Sequence, residues 1–356
     1  MRVEVYDGVS GFDALRLEWD ALLQGSATDV LFLTWGWQRA WWNAFGEDKN
    51  LHLLAIRDES GQLNAIIPLF VQETLLDPNA SLPDIQIENP LVAAGAESRR
   101  TVHLVGGSEV SDYLDIIAPA EFNHQAWSVL LDFLAERNDW QILDLRSLPS
   151  ASPTVAAVTE LVQVRGWEVQ KVREDVCPVL ELPGTWEEYL ANNLSKKQRH
   201  ELRRKMRRAE GETDLYWSWV GAQNLDKGLQ IFFQLHRASD PNKDSFMSER
   251  MEGFFRTVAE AALEKGWLRL SVLRCNGQPV ASYLCFDYRT DRLIYNSGFD
   301  LSTYGHLSPG IVLLGFLIDD AIRRGCKRSD FLQGGERYKY DLGATDTEVL
   351  RLFIRR

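Results

Sequence analysis

Hydrophobic residues in the first half of the chain alternate between helical and strand-like spacing. Leu15, Trp19 and Leu22 fall on one face of a helix, and two apolar runs with strand-like composition follow around a polar turn. Residues 75–97 contain several Pro and Asn and predict a long loop. The predicted order is strand, helix, helix, strand, strand, strand, helix, strand, helix, at residues 3–6, 12–23, 35–45, 51–57, 63–71, 113–117, 122–136, 141–145 and 151–164.

The second half repeats this order. Gly266 follows a helical segment and predicts its C-terminal end. Asn276-Gly277 separates two strand-like runs and is the dipeptide that two-residue hairpin turns prefer. The predicted order is helix, helix, strand, strand, strand, helix, strand, at residues 225–238, 251–265, 268–275, 278–288, 293–297, 309–324 and 329–332.

The two predicted hairpins also resemble each other in sequence. LHLLAIRDESGQLNAIIPL (51–69) and LRLSVLRCNGQPVASYLC (268–285) both contain a strand, a turn with glycine, Gly-Gln and a second strand. We therefore expect an internal duplication, with domains over 1–166 and 167–356. The alternative is that two unrelated domains of mixed α/β (α+β) class share this order of elements.

Composition and charge narrow the class of protein. The 356 residues suit two domains, and 45% hydrophobic with 25% charged residues is typical of a globular chain. The formal net charge of −12 argues against a general nucleic-acid binder. The cysteines form no CxxC pair, and no histidine lies at ligand spacing from them, so we expect a reducing compartment and no metal site.

Targeting signals and familiar catalytic motifs are missing from the sequence. The N-terminus lacks an apolar signal segment, and no window approaches 18 uncharged apolar residues. We therefore expect a cytoplasmic protein without a membrane span. The sequence contains no GxSxG, HExxH or Walker A motif. His236 lies on an apolar helix face and is predicted to be a satisfied core histidine.

The segment before the helix predicted at 309–324 is the first candidate site. Ser308 is a suitable N-cap, Pro309 suits the first helical turn, and a helix start attracts phosphate through its free amides. Beside a strand splayed from its neighbour, this start would hold a pyrophosphate, such as that of an acyl-CoA. The alternative is an ordinary capped core helix. The candidate donor-binding residues are Gly305, His306, Leu307, Ser308, Pro309 and Gly310.

A polar cluster after the last predicted strand is the second candidate site. Gly334 and Gly335 allow a sharp turn, after which Glu336 and Tyr338 would serve as a base and an acid in amide formation. Asp330, at the strand end, would orient one of them or bind the substrate amine. Lys339 would contact an anion. The alternative is a polar loop in which Glu336 and Lys339 form a surface ion pair.

A basic helix is predicted over 195–210. Ser195 and Gln198 form a capping box, and eight Lys and Arg accompany a single acidic residue over 194–208. Such a helix on an acidic protein indicates an anionic partner, and Arg199 and Arg203 are the candidate substrate-binding residues. The alternative is a solvated face that balances acidic neighbours.

These segments resemble a known family. The run LSKKQRHELRRKMRRAEG and the residues DFLQGGERYK (330–339) are similar to segments of the CelD-like acetyltransferases of the GNAT superfamily, associated with cellulose or exopolysaccharide biosynthesis. The resemblance covers most of the chain, most strongly 186–345. It implies two tandem GNAT-like domains, similar to those of the Fem-type peptidyltransferases. The segment Tyr304–Gly310 departs from the family by lacking the full pyrophosphate-loop spacing.

The resemblance implies transfer of an acyl group from acetyl-CoA or another acyl-CoA to an amine or hydroxyl. Tyr338 would then protonate the leaving thiolate. The acceptor would be a small molecule or a saccharide. Two alternatives remain: a Fem-like transferase that uses aminoacyl-tRNA, and a non-catalytic module that binds anionic ligands.

Overall fold

The computed structural model describes residues 1–76 and 97–356, which divide into two compact units. Unit 1 comprises Met1–Asp175 and Glu348–Arg356, and unit 2 comprises Val176–Thr347. The sequence placed the boundary between residues 166 and 167 and assigned the C-terminus to the second domain. The C-terminus instead joins unit 1 because Val349–Arg355 pairs with Ile142–Pro149. Most of the loop predicted at 75–97 lies outside the described residues.

Unit 1 is built on a mixed sheet with strand order β1-β2-β3-β4-β5-β12, to which β12 contributes its residues from Glu348 onward. Neighbouring strands are antiparallel except for β4 and β5, which are parallel. The elements are β1 (Arg2–Tyr6), α1 (Ser10–Gln24), α2 (Trp35–Phe45), β2 (Asn50–Arg57), β3 (Leu63–Leu76), β4 (Glu97–Leu104), α3 (Ala120–Ala135), β5 (Ile142–Pro149), α4 (Pro153–Val164) and β12 (Thr345–Arg355).

Unit 2 is built on a sheet with strand order β6-β11-β10-β9-β8-β7, to which β6 contributes its residues from Val176 onward. Here β10 and β11 are the parallel pair and the other neighbours are antiparallel. The elements are β6 (Glu168–Glu181), α5 (Trp186–Asn192), α6 (Lys196–Glu212), β7 (Leu215–Trp219), α7 (Leu225–Ser239), α8 (Pro241–Phe246), α9 (Glu249–Glu264), β8 (Leu268–Cys275), β9 (Gln278–Tyr288), β10 (Asp291–Phe299), α10 (Pro309–Arg323), β11 (Arg328–Asp330) and α11 (Arg337–Asp341).

The two units repeat one topology. In each, an antiparallel hairpin (β2–β3 or β8–β9) is followed by a third antiparallel strand, a helix and a parallel strand. The mixed α/β class and the tandem arrangement predicted from the sequence are therefore confirmed. At the second hairpin, Asn276 and Gly277 both have positive φ (50° and 80°), as the predicted two-residue turn requires.

The third strand of unit 1 was placed wrongly from the sequence. Residues 113–117 do not form a strand, and Ile117 makes only an isolated bridge to Ile66. The strand at this position in the sheet is β4, which pairs with β3 along its length. Its first residues, Glu97–Arg100, are polar and partly exposed, so the segment lacks the apolar signature that marks a buried strand.

Helix α6 of unit 2 has a well-defined start. Ser195 Oγ accepts from the Gln198 amide at 3.3 Å, and Gln198 Oε1 accepts from the Ser195 amide at 2.9 Å, which confirms the predicted capping box of α6. The apolar side of α6 packs on α10, where a Cβ added at Gly315 would lie 3.2 Å from Met206 Sδ and 3.4 Å from Leu202 Cδ1. In the part of the chain that the structure describes, no helix is long and apolar enough to cross a membrane.

Candidate functional site

A fork in the sheet of unit 2 forms the candidate site. Strands β10 and β11 pair in parallel only where Asp291–Leu293 faces Arg328–Asp330. Strand β10 then continues to Phe299 alongside β9, with a bulge between Ile294 and Asn296, whereas the chain after β11 turns away. The splayed strand expected from the sequence is therefore present. A bulge bends a strand and re-aims its side chains, as is common beside active sites.

A cavity of about 460 Å³ lies at this fork. Its size is within the range of small-molecule sites. Its walls come from β9 and β10, the approach to α10, the loop after β11, and helices α8 and α11. The lining residues are Lys243, Tyr283, Ile294, Tyr295, Asn296, Ser297, Phe299, Leu301, Gly305, Ser308, Pro309, Gly310, Ile311, Phe331, Gln333, Glu336, Tyr338 and Lys339.

The start of α10 opens into the cavity without a side-chain cap. Ser308 occupies the N-cap position, but its backbone is left-handed (φ 55°, ψ 55°) and its side chain makes no capping hydrogen bond. The capping role predicted for Ser308 is therefore wrong, because capping side chains reach the first-turn amides from an extended backbone. The amides of Gly310 and Ile311 precede the first intrahelical bond, from Val312 to Ser308.

Four of the six predicted donor-binding residues line the cavity, namely Gly305, Ser308, Pro309 and Gly310. The other two lie elsewhere. The Nε2 atom of His306 is 3.3 Å from Glu212 Oε2 at the end of α6. Leu307 is buried in the apolar core of unit 2. The glycines and the helix start therefore lie at the fork, whereas the side chains of His306 and Leu307 do not.

Tyr338 also lines the cavity. Its ring packs edge-on against Phe331, with centroids 6.4 Å apart. Burial, reinforced by the negative charge of Glu336, raises the pKa of Tyr338 well above the usual range of a tyrosine. The group is therefore a protonated phenol at neutral pH. A neutral O–H inside a cavity can donate a hydrogen bond or release a proton to a stronger base.

Glu336 and Lys339 form an ion pair, with Nζ 2.9 Å from Oε2. The Glu336 side chain is 58% exposed, whereas that of Lys339 is 3% exposed. The ammonium also donates to three carbonyls of the preceding loop, those of Leu332 (3.1 Å), Gln333 (2.8 Å) and Gly334 (2.8 Å). The predicted anion contact of Lys339 is therefore replaced by a structural role, because these acceptors already surround its three N–H groups.

Asp330 does not line the cavity. It ends β11, and its Oδ1 accepts from the Leu332 amide at 2.8 Å. Leu332 is buried and has positive φ (58°), a conformation that costs energy for a branched side chain. Asp330 thus stabilises the turn that directs the chain away from β10. It is not one of the residues that line the cavity.

The predicted substrate-binding arginines also lie outside the cavity lining. Arg199 donates to the Leu190 carbonyl at 3.1 Å, and Arg203 donates to Glu187 Oε2 at 2.8 Å. Both partners belong to α5, so these contacts hold α5 against α6. The exposed cations of the helix are Lys196, Lys197, Arg203, Arg204, Arg207 and Arg208.

Sequence reasoning missed Lys243, which lines the cavity from α8. Its Nζ donates to the Ser297 carbonyl at 2.6 Å and lies 5.6 Å from the centroid of the Phe299 ring. Burial lowers the pKa of Lys243, while the carboxylate of Glu336 acts in the opposite sense. Asp240-Pro241 marked a helix start, but a six-residue helix is too short to give a periodic pattern.

The comparisons with known proteins agree with this geometry. Residues 196–340 match the family model described as an acetyltransferase (GNAT) domain. No curated protein matches the sequence. A crystal structure of FemX superposes with a TM-score of 0.62 at 10% identity, covering 99% of this chain and 96% of that one.

Two further structures share the fold over nearly the whole chain. L-PGS from Bacillus licheniformis has a TM-score of 0.55 at 12% identity and covers 96% of this chain and 91% of that one. The C-terminal domain of a putative lysylphosphatidylglycerol synthetase from Agrobacterium fabrum has a TM-score of 0.55 at 11% identity, with 98% and 92% covered. Residues 196–340 thus match the GNAT acetyltransferase domain, in a chain with a tandem GNAT-like fold.

Proposed function

We propose that unit 2 transfers an acyl group, in the first instance acetyl, from a CoA thioester to an amine or hydroxyl. The observation that carries the proposal is that the amide end of α10 and the phenol of Tyr338 line one cavity at the β10–β11 fork. The amide end of α10 can bind an anion, and the phenol of Tyr338 can donate a proton. Thioester acyl transfer requires both within reach of the same substrate.

The start of α10 fits the pyrophosphate of CoA. Pro309 has no N–H, and the next two amides lie at the positive end of a 15-residue helix. The left-handed Ser308 leaves these amides without a side-chain acceptor. A Cβ added at Gly310 would lie 3.1 Å from the Phe299 ring, so a larger residue there would also crowd the cavity wall.

The reaction needs two proton movements. The acceptor nitrogen or oxygen attacks the thioester carbonyl carbon, a C–N or C–O bond forms, and the C–S bond breaks. The attacking group loses a proton to Glu336, directly or through water, and the departing thiolate takes a proton from Tyr338. Among the described residues that line the cavity, Glu336 is the only carboxylate.

The acceptor is proposed to be a small molecule or a saccharide. The resemblance to CelD-like proteins favours an acceptor in polysaccharide biosynthesis. Lys243 and Asn296 add a cation and an amide to the wall that such an acceptor would face. Hydroxyl and amino groups are recognised by such polar side chains within otherwise apolar pockets.

Calorimetric titration of the whole chain with acetyl-CoA and longer acyl-CoAs tests donor binding. Release of free thiol from the bound donor, measured with a set of amino sugars and small amines, tests turnover. We expect Tyr338→Phe to retain donor binding and to lower the turnover rate by about 10²–10⁴-fold, the usual contribution of a general acid. Tyr216→Phe, at an exposed position on β7, is the matched control and should leave the rate unchanged. Equal turnover by the Tyr338 and Tyr216 variants would remove the acid role.

A second candidate is transfer of an aminoacyl group from tRNA. The observation that favours it is the set of six exposed cations on α6, although three of them, Arg203, Arg204 and Arg208, also form ion pairs with glutamates. Binding of charged tRNA that weakens steeply with salt, together with no binding of any acyl-CoA, would support this candidate over the first. Absence of binding to both donors would favour a non-catalytic module.

A further inference from the structure

The wall of the unit 2 cavity contains a cation without a carboxylate partner. Lys243 Nζ donates to the Ser297 carbonyl at 2.6 Å and to Ser297 Oγ at 3.4 Å, and it makes no ion pair with any residue that the structure describes. An ammonium has three N–H groups, so at least one is left over. The side chain is half-buried in a cavity wall, where charges are normally paired. This donor is therefore available to a bound anion.

The second lysine in the same lining shows the contrast. Lys339 pairs with Glu336 at 2.9 Å and donates to three loop carbonyls, which occupies all of its N–H groups. Lys243 has acceptors from a single residue, Ser297. Of the two lysines, Lys243 is therefore the one that can bind a substrate.

Lys243 approaches the fork from the side of the sheet opposite α10. Side chains of neighbouring strand residues point to opposite faces. On β10, a Cβ added at Gly298 would lie 2.2 Å from the His236 amide nitrogen of α7, whereas the Phe299 ring lies 3.1 Å from a Cβ added at Gly310 of α10. Helices α7 and α10 therefore cover opposite faces. Helix α8, which carries Lys243, follows α7 after one residue.

The ammonium of Lys243 lies at the edge of β10 that the fork opens. Beyond Leu293, β10 pairs with β9 but no longer with β11. Ser297 belongs to this stretch, and Lys243 Nζ lies at its carbonyl and 5.6 Å from the centroid of the Phe299 ring. The lysine thus enters the fork from the α7 face, whereas the start of α10 enters from the other face. A donor whose phosphates lie at α10 leaves the side of Lys243 to the acceptor.

Lys243 and Glu336 bring two opposite charges to one cavity. Burial lowers the pKa of Lys243, and the charges of Glu336 and Asp240 act in the opposite sense without forming an ion pair with it. Glu336 is also the group proposed to take a proton from the attacking nucleophile. A molecule with an amine at one end and an acid at the other complements this pair of charges.

We propose that the acceptor is an amine that also carries a carboxylate, as an amino acid does, and that Lys243 binds this carboxylate. The inference rests on the acyl transfer proposed for unit 2 and names the class of its acceptor. The carboxylate accepts from the remaining N–H of Lys243, which turns the neutral amine towards Glu336. The amine nitrogen attacks the thioester carbonyl carbon and gives a proton to Glu336, a C–N bond forms, and the C–S bond breaks. Tyr338 protonates the departing thiolate, and the proton on Glu336 returns to the phenolate through solvent.

The experiment compares matched amines with and without the carboxylate. Release of free thiol from acetyl-CoA is measured for the full chain with free amino acids and with their carboxamides, which keep the amine and the side chain but lack the negative charge. The ratio of kcat/KM for each acid to that for its amide is then compared between the wild type and Lys243→Met, which cancels the intrinsic difference in amine reactivity. We expect the ratio to fall by about tenfold or more in Lys243→Met, as for loss of a hydrogen bond to a charged group. Lys243→Arg keeps the charge and should retain part of the preference.

Lys227→Met is the matched control, because Lys227 is an exposed lysine of α7 outside the cavity lining, and it should keep the wild-type ratio. The KM for acetyl-CoA is measured for each variant. The inference is overturned if Lys243→Met keeps the wild-type ratio, if its KM rises for acetyl-CoA and not for the amino acid, or if amines without an acid group are acetylated while no amino acid is. Each of these results leaves acyl transfer standing. Absence of acetyl-CoA binding and of thiol release with every amine would instead refute the acyl transfer, and the acceptor class with it.

Discussion

Lys339→Met separates a structural lysine from a substrate-binding one. The wild-type ammonium donates to three loop carbonyls and pairs with Glu336. Methionine keeps most of the side-chain volume but removes every donor. The carbonyl of Leu332 is then left buried without its partner, at a cost of about 1–3 kcal/mol. Those of Gln333 and Gly334 are partly accessible, so water compensates much of their loss.

We expect a total destabilisation of about 2–4 kcal/mol for Lys339→Met, which is a large fraction of the stability of a typical domain. With a urea dependence of about 2 kcal/mol per molar, the midpoint of unfolding falls by about 1–2 M. Urea unfolding followed by tryptophan fluorescence measures this shift. Lys327→Met is the matched control, because Lys327 is exposed, and it should move the midpoint little.

Measuring both the urea midpoint and the binding of acetyl-CoA to Lys339→Met distinguishes the two roles of Lys339. If Lys339 holds the loop, its replacement lowers the midpoint and disturbs the placement of Glu336 and Tyr338. If Lys339 instead contacts a substrate anion, the midpoint stays at the wild-type value while donor or acceptor binding weakens. The second result would refute the structural role.

Two further predictions concern stability. In Gly298→Ala, the added Cβ would lie 2.2 Å from the His236 amide nitrogen, so we expect the free energy of unfolding to fall by about 3 kcal/mol or more. The control is Gly253→Ala, whose added Cβ meets no atom within 4 Å and should leave stability in urea unchanged or raise it. Burial lowers the pKa of His103 and His236 from 6.5 to about 4. The unfolded chain therefore binds more protons between these pH values, and stability should fall as pH drops from about 6.5 towards 4, by up to about 3 kcal/mol per histidine. The free energy of unfolding is measured at a series of pH values, and a His236→Gln variant with the same pH dependence as the wild type would contradict this reasoning. His124→Gln, at an exposed position, is the control.

His236 also shows how a correct prediction can be incomplete. Its helical spacing among apolar residues correctly predicted a core position, and it is 1% exposed. Its Nδ1, however, has no hydrogen-bond partner among the described residues, so the expected full satisfaction is wrong. Spacing reports which side of a helix is buried. It does not report which polar atoms the neighbouring elements bring within reach.

Two of the elements that the sequence did not predict, β12 and α8, lack a clear local pattern. Strand β12 pairs with β5, more than 190 residues earlier in the chain, and half of its residues are exposed or polar. Helix α8 has six residues, fewer than two turns. Helix α8 is therefore too short to repeat the helical period, and β12 begins with four exposed polar residues before its apolar part, so neither segment shows a clear periodic pattern.

The sequence by itself determined the order of the main elements, the duplication, the capping of α6 and the two polar segments around Pro309 and Tyr338. These follow from periodicity, turn-forming dipeptides and helix-start chemistry, which act over a few residues. Only the tertiary structure decided that these two segments face one cavity, that Lys339 is enclosed by carbonyls and that Lys243 joins the lining. Each of these depends on where β10 and β11 separate, and that position is set by long-range pairing and packing of the whole sheet.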